Sequence, residues 1–411
     1  MTLPAINANL VRFLFPLFLV TGILHGIDQL TPLISQNQGA IGFLPYLLFS
    51  IALILCHSFN QGRMGMIAVS MMLAYLVIQE RLQVPLNFGT TKLEFSILAF
   101  LMPVSCMTVY LFPNKRFFSK TGIAYLLLLS LFIGWAYLTV EHFSQNGMDH
   151  LWEGILFSIP QVSKLPFLAV LYSVIFVGIS AIMVLTRREA LDYAVYNCLL
   201  LSTVTFGFFQ LSYISAVFFS LAGILLIYNI MSTSHSLAFI DQLTEIPSRR
   251  ALENEMGHLG RNYSIAMLDV DHFKKFNDTH GHDTGDDVLR LVAKTLKNVE
   301  GKAKVYRYGG EEFTVLFKGK TADESFPFLD ELRENVASYD MVVRNRSDRP
   351  KDDKLGTKKR GSNNTEKTVN VTISIGVADS SDIKHPKKVL KAADEALYKA
   401  KKNGRNCVVT S

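Results

Sequence analysis

Long apolar runs dominate the first 231 residues of the chain. Runs of roughly 17 to 22 residues, the length that a helix needs to cross a bilayer, alternate with short polar segments. A further stretch without charged residues, Tyr193 to Met231, is too long for one crossing and suits two. The pattern predicts an α-helical transmembrane bundle of about eight spans, the first six near residues 10–27, 41–58, 63–79, 94–113, 121–140 and 165–186.

Charged residues divide the chain at about the same place. Residues 1–231 carry 10 Lys/Arg and 8 Asp/Glu, whereas residues 232–411 carry 31 and 27. We therefore expect a transmembrane sensor domain over 1–231, a signalling linker over 232–240 and a soluble domain over 241–411. The formal net charge of +6 is modest, so it does not indicate a nucleic-acid partner.

Basic loops predict the orientation of the spans, because Lys and Arg accumulate on the cytoplasmic side. The segment 115–120 and the pair Arg187-Arg188 are basic, whereas the expected first loop, Ile27 to Ala40, has no Lys or Arg. With eight spans and a cytoplasmic N-terminus, both basic loops and the C-terminal half lie inside. A cleaved signal peptide is an alternative interpretation of the first run, but the spans that follow favour an uncleaved helix.

The linker carries apolar residues at Ile230, Leu237 and Ile240. Spacings of seven and three are compatible with a last membrane helix that continues into a short parallel coiled coil. A plain amphipathic connector fits this short pattern equally well. The membrane half does not identify the signal ligand or partner that it senses.

A buried strand is predicted over Ser264 to Asp271, and it ends in two carboxylates, Asp269 and Asp271. The period of two places both on one face of the strand. Mg²⁺ prefers oxygen ligands and shares them with substrate phosphates. At this point the pair fits either a metal site or a solvated strand end.

A second acidic pair follows a predicted hairpin. The segment Val305 to Phe317 contains two apolar strands around Gly309-Gly310, a dipeptide that tight turns prefer, and Glu311 and Glu312 come directly after it. An ordinary exposed hairpin also fits. However, carboxylates that converge with Asp269 on one sheet edge would repel each other without a cation.

The segment Gly309-Gly310-Glu311-Glu312-Phe313 resembles the signature of the GGDEF (GGEEF) family of diguanylate cyclases, which join two GTP molecules into cyclic di-GMP. The resemblance covers about residues 241 to 407 and implies an α/β domain of the palm-like nucleotidyl cyclase type. Glu245 and Ser248 depart from the family pattern outside the metal site. Four further motifs support the resemblance, in chain order: 241–250, 269–286, 372–378 and 394–406.

The resemblance implies a role for individual residues. Two Mg²⁺ (or Mn²⁺) ions per active site would be held by Asp269, the backbone carbonyl of Val270, Glu311 and Glu312. Glu311 would also help to deprotonate the attacking 3'-hydroxyl. The implied contacts to GTP are Asn277 and Asp286 on guanine, His282 elsewhere on the substrate, and Lys274, Lys401 and Arg405 on the triphosphate.

The resemblance also implies partners and a location. Each domain would hold one GTP, so the product needs a homodimer, and the chain would be a multi-pass protein of the bacterial inner membrane with its C-terminal domain in the cytoplasm. The competing hypothesis is a catalytically degenerate receptor for GTP or cyclic di-GMP. A transporter with a regulatory tail is disfavoured, because the spans show no clear charged pathway.

Two further segments give expectations. The basic segment 344–367 is interpreted as a solvated insertion, with attachment to anionic membrane lipid as the alternative. Many relatives carry an inhibitory Arg-x-x-Asp site for the product, and Glu300 and Ala303 occupy the matching positions here. We therefore expect no product inhibition through that site.

Overall fold

A computed structural model describes residues 8–86, 88–146, 157–159, 163–187, 189–342 and 368–411. The chain divides into two compact units, Met1–Ser234 and His235–Ser411. Arg188 and the basic segment 344–367 lie outside the described residues.

The N-terminal unit is helical, and eight of its helices in the described ranges have 18 residues or more. Seven of these are long and apolar enough to cross a membrane. The exception is the second last, which has 18 residues but includes Asp192 and Asn197. The helices are α1 (Ala8–Gln36), α2 (Gln38–Ser58), α3 (Gly62–Arg81), α4 (Thr91–Thr108), α5 (Lys120–Asn146), α6 (Phe167–Thr186), α7 (Ala190–Gly207) and α8 (Ile214–Phe239).

The expected first loop, Ile27 to Ala40, was wrong in its extent. Helix α1 continues to Gln36 and α2 begins at Gln38, so most of this segment is helical. Hydropathy marks the apolar part of a helix, whereas the helix itself continues as long as its backbone hydrogen bonds do.

The last helix of this unit crosses the predicted linker without a break. Helix α8 runs to Phe239, and the residues from Met231 to Phe239 include no Gly or Pro that would interrupt it. This confirms the helical continuation. The coiled coil stays a prediction.

Burial differs strongly between the helices. The apolar windows of α3 and α8 are 67% and 61% buried inside the unit, whereas that of α5 is only 11% buried. Helix α7 is also buried, and the carboxylate of Asp192 accepts a hydrogen bond from the Tyr110 hydroxyl at 2.6 Å. Polar residues therefore face the centre of the bundle, and α5 packs loosely at its side.

The C-terminal unit contains a five-stranded sheet with helices on both faces. The strand order is β2-β3-β1-β6-β7, in which β1 pairs antiparallel with β3 and β6, and β7 pairs parallel with β6. A separate two-stranded sheet joins β4 and β5. The elements are α9 (Arg249–Met256), β1 (Tyr263–Val270), α10 (Phe273–His280), α11 (His282–Leu296), β2 (Lys304–Gly309), β3 (Glu312–Lys318), α12 (Ala322–Ala337), β4 (Met341–Val342), β5 (Thr368–Val369), β6 (Ile373–Asp379), α13 (Pro386–Lys402) and β7 (Val408–Thr410).

Alternation along β1 separates two apolar cores. Ala266, Leu268 and Val270 pack in a core with residues of α11 and α12, whereas Ile265 and Met267 pack with residues of α9 and α13. Because strand side chains alternate, Asp269 belongs to the α13 face. The order of elements and the central sheet agree with the predicted α/β class.

Helix α13 lies very close to β6, at Gly376. A Cβ at this position would stand 2.0 Å from the backbone nitrogen of Leu397 and 2.3 Å from the carbonyl oxygen of Ala393. Only glycine allows so close an approach, so Gly376 sets the distance between α13 and the sheet.

Changing Gly376→Ala should lower the free energy of unfolding by about 3 kcal/mol, because overpacked cores must shift backbone or side chains. The measurement is urea unfolding of residues 235–411. Gly260→Ala is the matched control, since nothing lies within 4 Å of its Cβ position. Equal stability of the two variants would contradict the close approach.

Candidate active site

The site is organised by the register between β1 and β3. Asp269 on β1 lies directly opposite Glu312 on β3, so two carboxylates are neighbours on the α13 face. From the last turn of α13, Lys401 places its Nζ atom 2.8 Å from Asp269 Oδ1. The Asp269 side chain is only 9% exposed, so its carboxylate is largely shielded from water.

The hairpin between β2 and β3 carries Glu311 at its tip. Gly310 takes a left-handed conformation with φ +45°, which glycine adopts without strain. Arg307 on β2 donates to the Gly310 carbonyl at 2.7 Å and to the Asp241 carboxylate at 2.8 Å. The Val270 amide donates to the Glu311 carbonyl at 3.3 Å, so the turn is tied to both β1 and the segment before α9.

The carboxylates have pKa values above their ordinary range. Burial raises the pKa of Asp269 most, the Asp271 charge raises it further, and Lys401 lowers it in part. Burial raises the pKa of Glu311 and Glu312, and the Asp269 charge adds to both effects. A bound cation would relieve this repulsion and favour the charged forms.

Metal ligation can be judged from these donors. Among the described residues, no group of three His, Cys, Asp or Glu side chains is arranged to hold a metal ion. Mg²⁺ is usually bound through one or two carboxylates, with substrate phosphates and waters completing the shell. Asp269 and Glu311 fit that mode, because their side chains offer oxygen donors only and both line one cavity.

A cavity of about 380 Å³ opens beside Asp269. Its lining joins acidic groups to cationic ones, which suits a polyanion that brings its own metal ions. Six of the ten predicted site residues line it: Asp269, Val270, Lys274, Glu311, Lys401 and Arg405.

The other predicted residues do not line this cavity. Glu312 borders a neighbouring depression that also includes Asp394 and Lys401. His282 is exposed at the start of α11.

The two predicted guanine contacts lie near each other on α10 and α11. The Asn277 amide oxygen is buried without a hydrogen-bond partner in the described structure. A Cβ on Gly285 would stand 1.9 Å from that oxygen, so Asn277 lies directly over the residue that precedes Asp286. A buried unpaired acceptor is costly, and a ligand that donates a hydrogen bond would satisfy it.

Four lining residues were not among the predicted site residues: Phe273 and the polar residues His272, Lys275 and Asp278. Lys274 and Asp278 are four apart on α10, the spacing of helix neighbours, so that spacing was a usable signal for Asp278. His272 has a left-handed backbone with φ 56°, and nothing in the sequence indicates this.

Asp271, predicted on the same face as Asp269, does not line the cavity. Its carboxylate accepts hydrogen bonds from the hydroxyls of Thr372 at 2.7 Å and Ser374 at 2.6 Å, and from the backbone N–H of Asn406 at 3.1 Å. Arg405 and Asn406 both have positive φ, a conformation that costs energy outside glycine. Asp271 therefore anchors the loop that presents Arg405.

Comparisons with known proteins give a family match in the C-terminal unit. The family model "Diguanylate cyclase, GGDEF domain" matches residues 238–351 and 352–407. The response regulator PleD of Caulobacter vibrioides is 35% identical over 190 residues, which cover 44% of this chain and 38% of PleD. Diguanylate cyclase A of Treponema denticola is 36% identical over 160 residues, 38% of each chain. The chain thus spans well under half the length of these curated relatives.

A solved structure also matches part of the chain. The coiled coil and GGDEF domain of DgcB from Caulobacter crescentus, in complex with c-di-GMP, is 30% identical and has a TM-score of 0.40, covering 47% of this chain and 95% of that one. The residues matched by the family model, 238–407, lie within the C-terminal unit. Residues 238–407 of this unit therefore resemble the GGDEF domain of diguanylate cyclases.

Proposed function

We propose that this chain is a membrane-bound diguanylate cyclase that converts two GTP molecules to cyclic di-GMP and two pyrophosphates. It would lie in the bacterial inner membrane with its catalytic domain in the cytoplasm, regulated by a signal received by residues 1–231. The observation that carries the proposal is the cavity at Asp269, in which Glu311 is joined by Lys274, Lys401 and Arg405. Curated relatives named as diguanylate cyclases support it.

In this proposal the carboxylates hold two Mg²⁺ (or Mn²⁺) ions. Asp269, the Val270 carbonyl and Glu311 are the ligands, with Glu312 as a further one. The bound metals would clamp the attacking and leaving oxygens of the transferred phosphoryl group. Glu311 would also help to deprotonate the attacking 3'-hydroxyl.

The cations of the cavity would balance the triphosphate. Phosphoryl transfer depends mainly on positioning and charge stabilisation, and Lys274, Lys401 and Arg405 supply positive charge around one space. Lys401 is paired with Asp269 in the structure. The triphosphate and the Asp269 carboxylate would share the three N–H donors of the Lys401 ammonium group.

Guanine recognition would fall to the opposite face of the sheet. Guanine offers ring and amino N–H donors, and the unpaired Asn277 oxygen and the Asp286 carboxylate are acceptors of the right kind. His282 would contact the substrate from the exposed start of α11.

A homodimer follows from the chemistry, since each domain holds one GTP and the product needs two. Helix α8 continues to Phe239, so two such helices would set the spacing of two catalytic domains. The signal would act through that spacing.

Glu311→Gln should lower cyclic di-GMP synthesis at least about 100-fold, the scale of a positioned acid–base group. The assay uses the purified full chain in lipid nanodiscs with GTP and Mg²⁺. Glu331→Gln, exposed on α12, is the matched control.

Turnover of Glu311→Gln within several-fold of wild type would remove Glu311 from the mechanism. Wild-type protein that binds GTP without turnover would favour the degenerate receptor.

Asp286→Ala should raise the KM for GTP about tenfold and weaken the preference for GTP over ATP, because a site that hydrogen-bonds a base discriminates through paired polar groups. Asp287→Ala is the control, since Asp287 is exposed and paired with Arg290 at 2.6 Å. Unchanged KM and base preference would exclude Asp286 from the guanine site.

Added cyclic di-GMP should not inhibit the initial rate through the family's inhibitory site, because Glu300 and Ala303 lack its guanidinium and carboxylate. Lys302 and Lys304 lie nearby, but an ammonium does not reproduce a bidentate fork. The double change Glu300→Arg and Ala303→Asp should create inhibition. Noncompetitive inhibition of wild type, retained when Lys302 and Lys304 are both Ala, would reveal another inhibitory surface.

A further inference from the structure

The N-terminal unit contains a cavity of about 440 Å³ between α3, α4 and α5. Each helix contributes six lining residues, and most of the eighteen are apolar. Volume and lining match the usual small-molecule site, which is mostly apolar with a few placed polar groups. One wall is α5, the least buried of the apolar helices, so the cavity lies at the side of the bundle.

One end of this cavity is polar. Arg81 donates to both carboxylate oxygens of Glu94, from Nη2 at 2.9 Å and from Nε at 3.0 Å. Thr90 donates to the same carboxylate at 2.9 Å. The Glu94 side chain is 11% exposed and that of Arg81 is 61% exposed, so the carboxylate is covered while the guanidinium reaches outward.

The hydroxyls at the other end are already satisfied by the protein. Ser70 Oγ lies 2.6 Å from Tyr125 Oη, and Tyr125 donates to the Ser105 carbonyl at 2.8 Å. Ser105 Oγ donates to the Met102 carbonyl at 2.8 Å. These hydroxyls therefore need no hydrogen bond from a polar group of a ligand.

We propose that this cavity binds a neutral single-chain amphiphile, with its hydrogen-bonding head at Arg81 and Glu94 and its apolar chain directed along α3 towards Ser70. The two ends are about 16 Å apart along the helix, at about 1.5 Å per residue. That length is close to one leaflet of the hydrocarbon core, roughly half of 30 Å.

Charge selects a neutral head over an ionic one. The Arg81–Glu94 pair has no net charge, and it keeps spare capacity of both kinds, since a guanidinium has five N–H donors and a carboxylate about four acceptor positions. A hydroxyl or amide head can use both. A carboxylate or ammonium head would add an uncompensated charge to this neutral pair beside an apolar cavity, which is costly.

Binding is tested with the full chain in phosphatidylcholine nanodiscs, using decan-1-ol that carries a diazirine and an alkyne. Saturable labelling of peptides from α3, α4 and α5 is expected. Unlabelled decan-1-ol should compete about tenfold better than decanoate, the factor that corresponds to about 1.4 kcal/mol. The readout is independent of cyclase activity.

Two variants test the geometry. Val77→Trp should fill the cavity and abolish the saturable label, whereas Ile54→Trp, on an exposed position of α2, should leave it unchanged. Glu94→Gln keeps the packing and leaves Arg81 as an unpaired cation, so it should reverse the preference in favour of decanoate.

Labelling that does not saturate and is spread over all exposed helix faces would overturn the proposal. So would a Glu94→Gln variant with the wild-type preference. A photoreactive diacyl phosphatidylcholine that labels the same peptides and resists displacement by decan-1-ol would show a lipid-filled gap instead.

Discussion

The like-charge pair Asp269 and Glu312 is the constraint on which the C-terminal unit depends. Like charges directly opposite each other on neighbouring strands destabilise a sheet, yet the register of β1 and β3 puts them there. Lys401 offsets the repulsion from α13. That helix reaches the position because Gly376 allows its backbone to approach β6 closely.

Much of this arrangement could be predicted from the sequence, because its signals are local. The alternation in β1 indicates which face Asp269 occupies, and the two glycines indicate the turn that presents Glu311. The family resemblance identified the helix with Lys401. No local pattern indicates that the Asp271 carboxylate accepts hydrogen bonds from Thr372, Ser374 and Asn406, since these partners are distant in sequence.

Prediction was less complete where packing decides the outcome. Eight long helices are described in the N-terminal unit, but only seven are long and apolar enough to cross a membrane. Helix α7, which includes Asp192 and Asn197, is the exception. The predicted end of the first helix was wrong, because hydropathy does not show where a helix ends. The cavity between α3, α4 and α5 depends on how three separate helices pack, and no single segment encodes it.

The separation of Asp269 and Lys401 along the chain has a consequence during translation. Strand β1 and the hairpin that carries Glu312 leave the ribosome well before α13. If the sheet forms early, Asp269 and Glu312 therefore come together before Lys401 is available to offset their charges. Strand β7, beyond Arg405, then adds to the edge of the sheet through β6. The nascent domain should therefore remain open, and without a competent site for nucleotide, until α13 and β7 have emerged.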